Sequence, residues 1–343
     1  MKAPIFILLF LHFSGISFAQ NRLKLPLPDQ ATVLQLASSP NGQYLAAAYQ
    51  NHTIGLWDIP SGKLLRLIPA HKDMINDLRF SPDGKTFASS SRDHTAKIWT
   101  CPSGQKRQAF GENFQPGQRD YDIQAIAYSS DGKWLATGSK SMRIRIYDTS
   151  SGQQVKTLRA PAMVHSLQFD TNDQQLLVGF HDGITSLMDL ASEQEVAQYS
   201  KHTGQVISVS FHPDSQPLLA TAGSDKIIQL WNTQQQELLF TLHHSNPLLS
   251  ITFHPKGQYL FALEGHHFQG WNLQTGKPAY QFSFPDKELS ALTISQDGQQ
   301  VVLGSATGEI LFLNAYTGEL SRSLPRPKDE HPFVSSISDS FEE

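Results

Sequence analysis

Cysteine is nearly missing from this chain: of 343 residues only Cys101 carries a thiol. One cysteine closes no disulfide within the chain and supports none of the cysteine-based zinc or redox motifs. No activating base lies near it in sequence, so Cys101 reads as a passenger in a turn and not as a catalytic thiol. An excess of one charge is also lacking. The formal net charge of -4 and a pI near 6.4 remove the usual electrostatic case for nucleic acid or an anionic membrane. Long segments with a 3.6-residue apolar period are absent too, which excludes a helical architecture.

The mostly apolar run from Ile5 to Phe13 is shorter than the ~20 residues that span a bilayer. With Lys2 before it and Ser17-Phe18-Ala19 after it, residues 1–19 have the form of a secretory signal cut before Gln20. No Cys follows that cut, which argues against lipid attachment, and no membrane insertion is expected once the signal is gone. Export without disulfides points to a bacterial periplasm in preference to a eukaryotic extracellular space. The alternative is a cytosolic protein whose N-terminus only looks like a signal.

What is abundant is repetition. An aromatic or apolar residue followed by a short polar one recurs as Trp57-Asp58, Trp99-Thr100, Tyr147-Asp148, Met188-Asp189, Trp231-Asn232, Trp271-Asn272 and Leu313-Asn314. Successive spacings are 42, 48, 41, 43, 40 and 42 residues, the ~40–45 of one propeller blade. In the second copy four short alternating runs, about 75–80, 86–90, 95–99 and 106–110, are bounded by Pro82-Asp83-Gly84 and Arg92-Asp93-His94. Such runs between turn residues are antiparallel strands. The expected fold is all-β, a single seven-bladed propeller with four antiparallel strands per blade over residues 33–324. Residues 325–343 read as a disordered tail. Residues 20–32 form an N-terminal segment in which Leu23-Lys24-Leu25 aligns with the fourth-strand residues Leu65-Arg66-Leu67. That segment and residues 318–324 compete to complete the last blade.

The repeat resembles the WD40 family of β-propellers over nearly the whole chain after residue 19. The resemblance implies a hydrogen-bonded set in each blade: a His before the first strand, a Ser or Thr in the second, an Asp in the tight turn and a Trp in the third. The second copy matches with His71, Ser89, Asp93 and Trp99, and the fifth with His202, Thr221, Asp225 and Trp231. Each polar group in such a set satisfies another, so these are structural fasteners and not a Ser-His-Asp hydrolase. The Asp position is Asn51, Ser141, Gly265 and Thr307 in copies one, three, six and seven. The fourth copy keeps Asp182 but has Met188 in place of Trp. Asn51-His52-Thr53 has the form of a glycosylation acceptor and is read in preference as a tight turn.

The resemblance also implies partner contacts on the face carrying the His loops and Asp turns. Candidates there are Arg92, Lys140, His165 and His181 on copies two to four, Glu264 and Glu288 on copies six and seven, and Met74 and Asn76 at a first-strand entrance. The expectation is a charge-polarised face that docks an acidic or mixed-charge protein or peptide segment. The long spacing of 48 reflects an insertion at 110–121, a candidate binding loop or mere length drift. The 14 histidines suggest metal, but two belong to fasteners, His212 and His254 precede turn prolines, and adjacent pairs on a strand point apart. No metal site and no cofactor are expected. The function expected is an exported, non-enzymatic scaffold for protein–protein or protein–peptide interaction in the cell envelope. The rival is a propeller enzyme, a hydrolase or lyase working at the channel mouth.

Overall fold

The computed structural model describes residues 32–111, 122–214 and 216–327. They form twenty-eight strands in seven four-stranded antiparallel sheets. Blade 1 holds β1 (Val33–Ser38), β2 (Tyr44–Tyr49), β3 (Thr53–Asp58) and β4 (Lys63–Pro69). Blade 2 holds β5 (Ile75–Phe80), β6 (Thr86–Ser91), β7 (Thr95–Thr100) and β8 (Lys106–Gly111). Blade 3 holds β9 (Ile123–Tyr128), β10 (Trp134–Ser139), β11 (Arg143–Asp148) and β12 (Gln154–Arg159). Blade 4 holds β13 (Val164–Phe169), β14 (Gln175–Phe180), β15 (Ile184–Asp189) and β16 (Glu195–Lys201). Blade 5 holds β17 (Val206–Phe211), β18 (Leu218–Gly223), β19 (Ile227–Asn232) and β20 (Glu237–His243). Blade 6 holds β21 (Ser250–Phe253), β22 (Tyr259–Glu264), β23 (His267–Asn272) and β24 (Lys277–Ser283). Blade 7 holds β25 (Leu289–Ile294), β26 (Gln300–Ser305), β27 (Ile310–Asn314) and β28 (Leu320–Leu324). Among the described residues no helix is long and apolar enough to cross a membrane.

Local chemistry explains the strand ends. In the turn after β5, the Ser81 hydroxyl donates to Asp83 Oδ1 at 2.7 Å. That same hydroxyl oxygen accepts the Thr86 amide at 3.1 Å, while Asp83 Oδ1 accepts the Lys85 amide at 3.0 Å. Gly84 takes φ +68°, a conformation that costs other residues. Two blades replace the turn serine with histidine and gain a link between blades. His212 Nδ1 accepts the Asp214 amide, and its Nε2 donates to the Gly257 carbonyl of blade 6 at 2.9 Å. His254 repeats this toward Gly298 of blade 7 at 3.0 Å.

The first strand of each blade lies innermost, and each inner strand packs on the next around the ring, with β25 returning to β1. Second strands are the most buried; β6 and β2 show side chains inaccessible almost throughout. The core is therefore a series of apolar layers between blades, as expected when no single unit covers its own faces. β28 pairs with β27 from Ile310↔Leu324 to Leu313↔Leu320, so residues 320–324 fill the place beside β27 in blade 7. Blades 7 and 1 are then joined by side chains. The Ser290 hydroxyl donates to the Val33 carbonyl at 2.5 Å, Thr32 to Ala306 at 3.1 Å, and Arg322 to the Ile59 carbonyl. A Cβ at Gly304 would lie 2.5 Å from Val33 Cγ1, so glycine is what lets these two blades approach. The expected signal at residues 1–19, the segment 20–31, most of the 110–121 insertion and the chain beyond 327 lie outside the described residues.

Candidate functional site

In blade 2 the four residues singled out from the sequence come together. His71 Nδ1 lies 2.9 Å from Asp93 Oδ2, His71 Nε2 lies 2.7 Å from Ser89 Oγ, and the Trp99 indole donates to the same Ser89 oxygen at 2.9 Å. Asp93 also accepts the Lys72 amide and the Thr95 hydroxyl. Burial pushes the Asp93 carboxyl up, but hydrogen bonding and charge from His71, then the Thr95 and Lys72 donors, outweigh this and hold it well below the usual carboxylate range. Burial also pushes the His71 imidazole down, more than Asp93 pulls it up. The imidazole is thus neutral at pH 7, donating from Nδ1 to a carboxylate and accepting the serine proton at Nε2. Its side chain has no solvent exposure, so no substrate reaches it.

Blade 5 departs from expectation at one member. His202 binds Asp225 at 3.0 Å and Thr221 at 2.9 Å, but the Trp231 indole nitrogen is buried with no hydrogen-bond partner among the described residues. Its ring instead meets Tyr199 edge-on, with centroids 5.9 Å apart. The fastener there is a triad, because Trp231 has drifted from the hydroxyl that the residue pattern assigned to it.

Glu264 requires a correction. It is not on an accessible binding face: it is 5% exposed, and its carboxylate is bonded to His244 Nδ1, itself buried. β22 ends at Glu264 and β23 begins at His267, leaving two loop residues where blade 2 has three, Arg92-Asp93-His94. The shortened hairpin removes the Asp position, and the longer glutamate at the strand end reaches the histidine instead. Blade 6 therefore has a fastener that column-by-column matching assigned to Gly265 and lost.

The remaining candidates form two groups. Lys140 Nζ donates to Asp122 Oδ2 at 2.7 Å, with His94 Nδ1 3.8 Å from the other carboxylate oxygen. On blade 4, His165 Nε2 and His181 Nδ1 are 3.1 Å apart with the rings stacked at 5.3 Å. Burial, then His181 and Lys140, push His165 down to about 4, so it brings no positive charge to this surface at neutral pH. Arg92 is exposed and forms no ion pair among the described residues; Glu288 is exposed, on the far blades. Met74 is half-buried, and Asn76 is engaged in structure, its amide donating to the Ile123 carbonyl of blade 3 at 2.9 Å. Asn51 Oδ1 accepts the Thr53 amide and hydroxyl, which makes it the acceptor of its tight turn.

At the other ends of the inner strands the ring encloses a cavity of about 500 Å³. Its wall is mixed: Ser208, Ser210, Thr252, Thr293 and Gln168 offer hydroxyls and amides, and apolar residues such as Leu167, Val209, Ile251 and Leu292 stand between them. Arg79, at its rim, is held by Asp77 at 3.1 Å. Among the described residues no three His, Cys, Asp or Glu side chains gather to hold a metal ion.

Comparison with known proteins agrees with this architecture. The family model for the WD domain, G-beta repeat, matches residues 23–58, 62–100, 113–148 and 193–232. The chain is a WD40-repeat β-propeller. Similar proteins include "Protein FIZZY-RELATED 2" of Arabidopsis thaliana, 24% identical over 183 residues, covering 52% of this chain and 36% of that one. "Telomerase protein component 1" of Rattus norvegicus is 29% identical over 177 residues, 51% of this chain and 7% of its own length. "Ribosome biogenesis protein YTM1" of Saccharomyces cerevisiae is 31% identical over 78 residues, covering 23% and 16%. The similarity thus spans about a third or less of each relative, and it reports the shared repeat.

Proposed function

We propose that this WD40 propeller is a non-enzymatic scaffold, exported to the cell envelope, whose His-loop face holds a protein or peptide segment. The observation that carries this reading is how the titratable groups are distributed. His71, His202 and His244, which could have served as acids or bases, are buried in fasteners, each with a carboxylate partner. The groups left at the surface of that face, Arg92, Lys140 with Asp122, and the His165–His181 pair, are arranged to offer hydrogen bonds and charge to a ligand. Blades already packed on one another suit such a role, because binding then orders little of the blade framework. Relatives named for ribosome biogenesis or as telomerase protein components are consistent with a repeat used in assemblies. The Met1–Ala19 segment supports export, and the single cysteine suits a periplasm.

The test is crosslinking capture of the tagged full chain, expressed at native abundance, beside an Arg92→Glu/His181→Glu variant. A discrete protein captured by the parent and lost in the variant is the expected result; equal capture by both would remove this face. The N-terminal mass of the recovered protein tests export separately. A chain beginning at Gln20 is expected, and an intact Met1 end would overturn the envelope assignment.

A further inference from the structure

The outer strands of the blades are edges, and an edge with free backbone groups invites another strand. Five of the seven carry a guard among the described side chains. β4 has Lys63, Arg66 and Pro69, β8 has Lys106 and Arg107, and β12 has Lys156 and Arg159. β24 has Lys277 and Pro278, and β28 has Arg322. β20 has no Lys, Arg or Pro: its sequence is Glu-Leu-Leu-Phe-Thr-Leu-His. It pairs with β19 on one side and is last in its sheet on the other. Leu238, Leu239 and Phe240 are 44%, 43% and 47% exposed, three consecutive large apolar residues at the surface. Phe240 leans over the Gly276 turn of blade 6 and keeps its outer edge in solvent.

We propose that β20 is a self-association edge that pairs antiparallel with β20 of a second copy of this chain. The strand is self-complementary about its middle residue. A two-fold axis through Phe240 sets Leu239 opposite Thr241, Leu238 opposite Leu242, and Glu237 opposite His243 at both ends. Leu238 therefore meets Leu242 on either side of the paired Phe240 residues, and each Glu237 meets a histidine able to donate to it. A two-fold interface demands this relation, in which each residue contacts its partner's counterpart. An equivalent axis on β8 would set Lys106 opposite Gly111 and Arg107 opposite Phe110, and on β12 Lys156 opposite Thr157 and Arg159 opposite Gln154, so neither strand gives its charged residues an acidic partner. One strand pair covers less than the ~1,200 Å² of a stable standard interface, so the dimer is a concentration-dependent one.

The experiment uses the full chain with Phe240→Cys, and Val155→Cys on β12 as a control of similar exposure. Opposed residues in an antiparallel pair have Cα atoms about 4.5–5.5 Å apart, within disulfide range. Cys101 does not compete, since burial pushes its thiol up to about 12. Mild oxidation is expected to link Phe240→Cys into a dimer and to leave Val155→Cys monomeric. Sedimentation of the unmodified protein should show its mass rising with concentration, an effect lost in Phe240→Lys. Glu237→Lys should weaken it, and the Glu237→Lys/His243→Glu exchange should restore it. A parent that stays monomeric throughout, or equal crosslinking at Val155→Cys, would overturn the proposal. Neither outcome bears on partner capture by the His-loop face.

Discussion

Blades 2 and 6 hold a histidine and a tryptophan in nearly the same relation, edge to face at 76° and 78°, yet they lock differently. In blade 2 Ser89 stands between the two rings and satisfies both. The matching position of β22 is Ala262, and in blade 6 both His244 Nε2 and Trp271 Nε1 are buried without a hydrogen-bond partner. The carboxylate also differs, arriving from a turn Asp in one blade and from the strand-end Glu264 in the other. Both blades nevertheless have four strands in the same register and an apolar layer on each face. The layers between blades make the propeller, and the polar set adds to a blade that packing has already defined. An incomplete set is a local cost and not a different fold.

The largest expected effect comes from breaking the complete set. Asp93→Ala removes the acceptor of His71 Nδ1, the Lys72 amide and the Thr95 hydroxyl together. Each buried group left unpaired costs ~1–3 kcal/mol. Asp182 is exposed, and its only described hydrogen bond is from the Ile184 amide, so Asp182→Ala should stay within about 0.5 kcal/mol. Urea unfolding of the two variants checks this, and equal shifts in midpoint would show that the blade 2 set carries no special weight.

A smaller effect, of opposite sign, comes from completing the incomplete set. Ala262→Ser places a hydroxyl where both unpaired nitrogens of blade 6 call for one. The gain should be about 1 kcal/mol, the net worth of a buried hydrogen bond. Ser89→Ala performs the reverse in blade 2 and should destabilise it. If Ala262→Ser lowers the unfolding midpoint, the two blades are not equivalent at this position and the comparison fails.

Most of the fold was legible because it rests on signals that repeat. Strands expected at 75–80, 86–90, 95–99 and 106–110 lie at Ile75–Phe80, Thr86–Ser91, Thr95–Thr100 and Lys106–Gly111. The site was legible only where the repeat is intact. Glu264 was misplaced because deleting one loop residue shifts a carboxylate to a neighbouring column while its side chain still reaches the histidine. Trp231 has the expected identity but its indole nitrogen has no hydrogen-bond partner among the described residues, since residue type alone does not fix the position of a ring. The bonds from His212 and His254 to the next blade were invisible as well. They depend on the approach of two turns over forty residues apart in sequence.

The smallest expected effect concerns acid. Burial pushes His71, His165, His202 and His254 down from 6.5, so each is neutral in the folded protein where the unfolded chain would bind a proton. A group whose folded pKa is depressed gives stability that is present above its unfolded pKa and lost as pH falls toward the folded one. For His165 that window runs from 6.5 down to about 4. In blade 6 the loss has a structural reason: protonating His254 at Nδ1 removes the acceptor of the Lys256 amide. Asp93, held low, adds a second loss below its ordinary value of 3.8. Replacing the half-exposed His165 by Gln keeps a polar neighbour for His181 and removes one titration. The pH dependence of the unfolding midpoint should then be flatter between 6.5 and about 4, with the plateau above pH 7 unmoved. A slope unchanged in that window would mean that the stacked pair opens on acidification before it opposes unfolding, and that the fasteners carry the whole of the acid response.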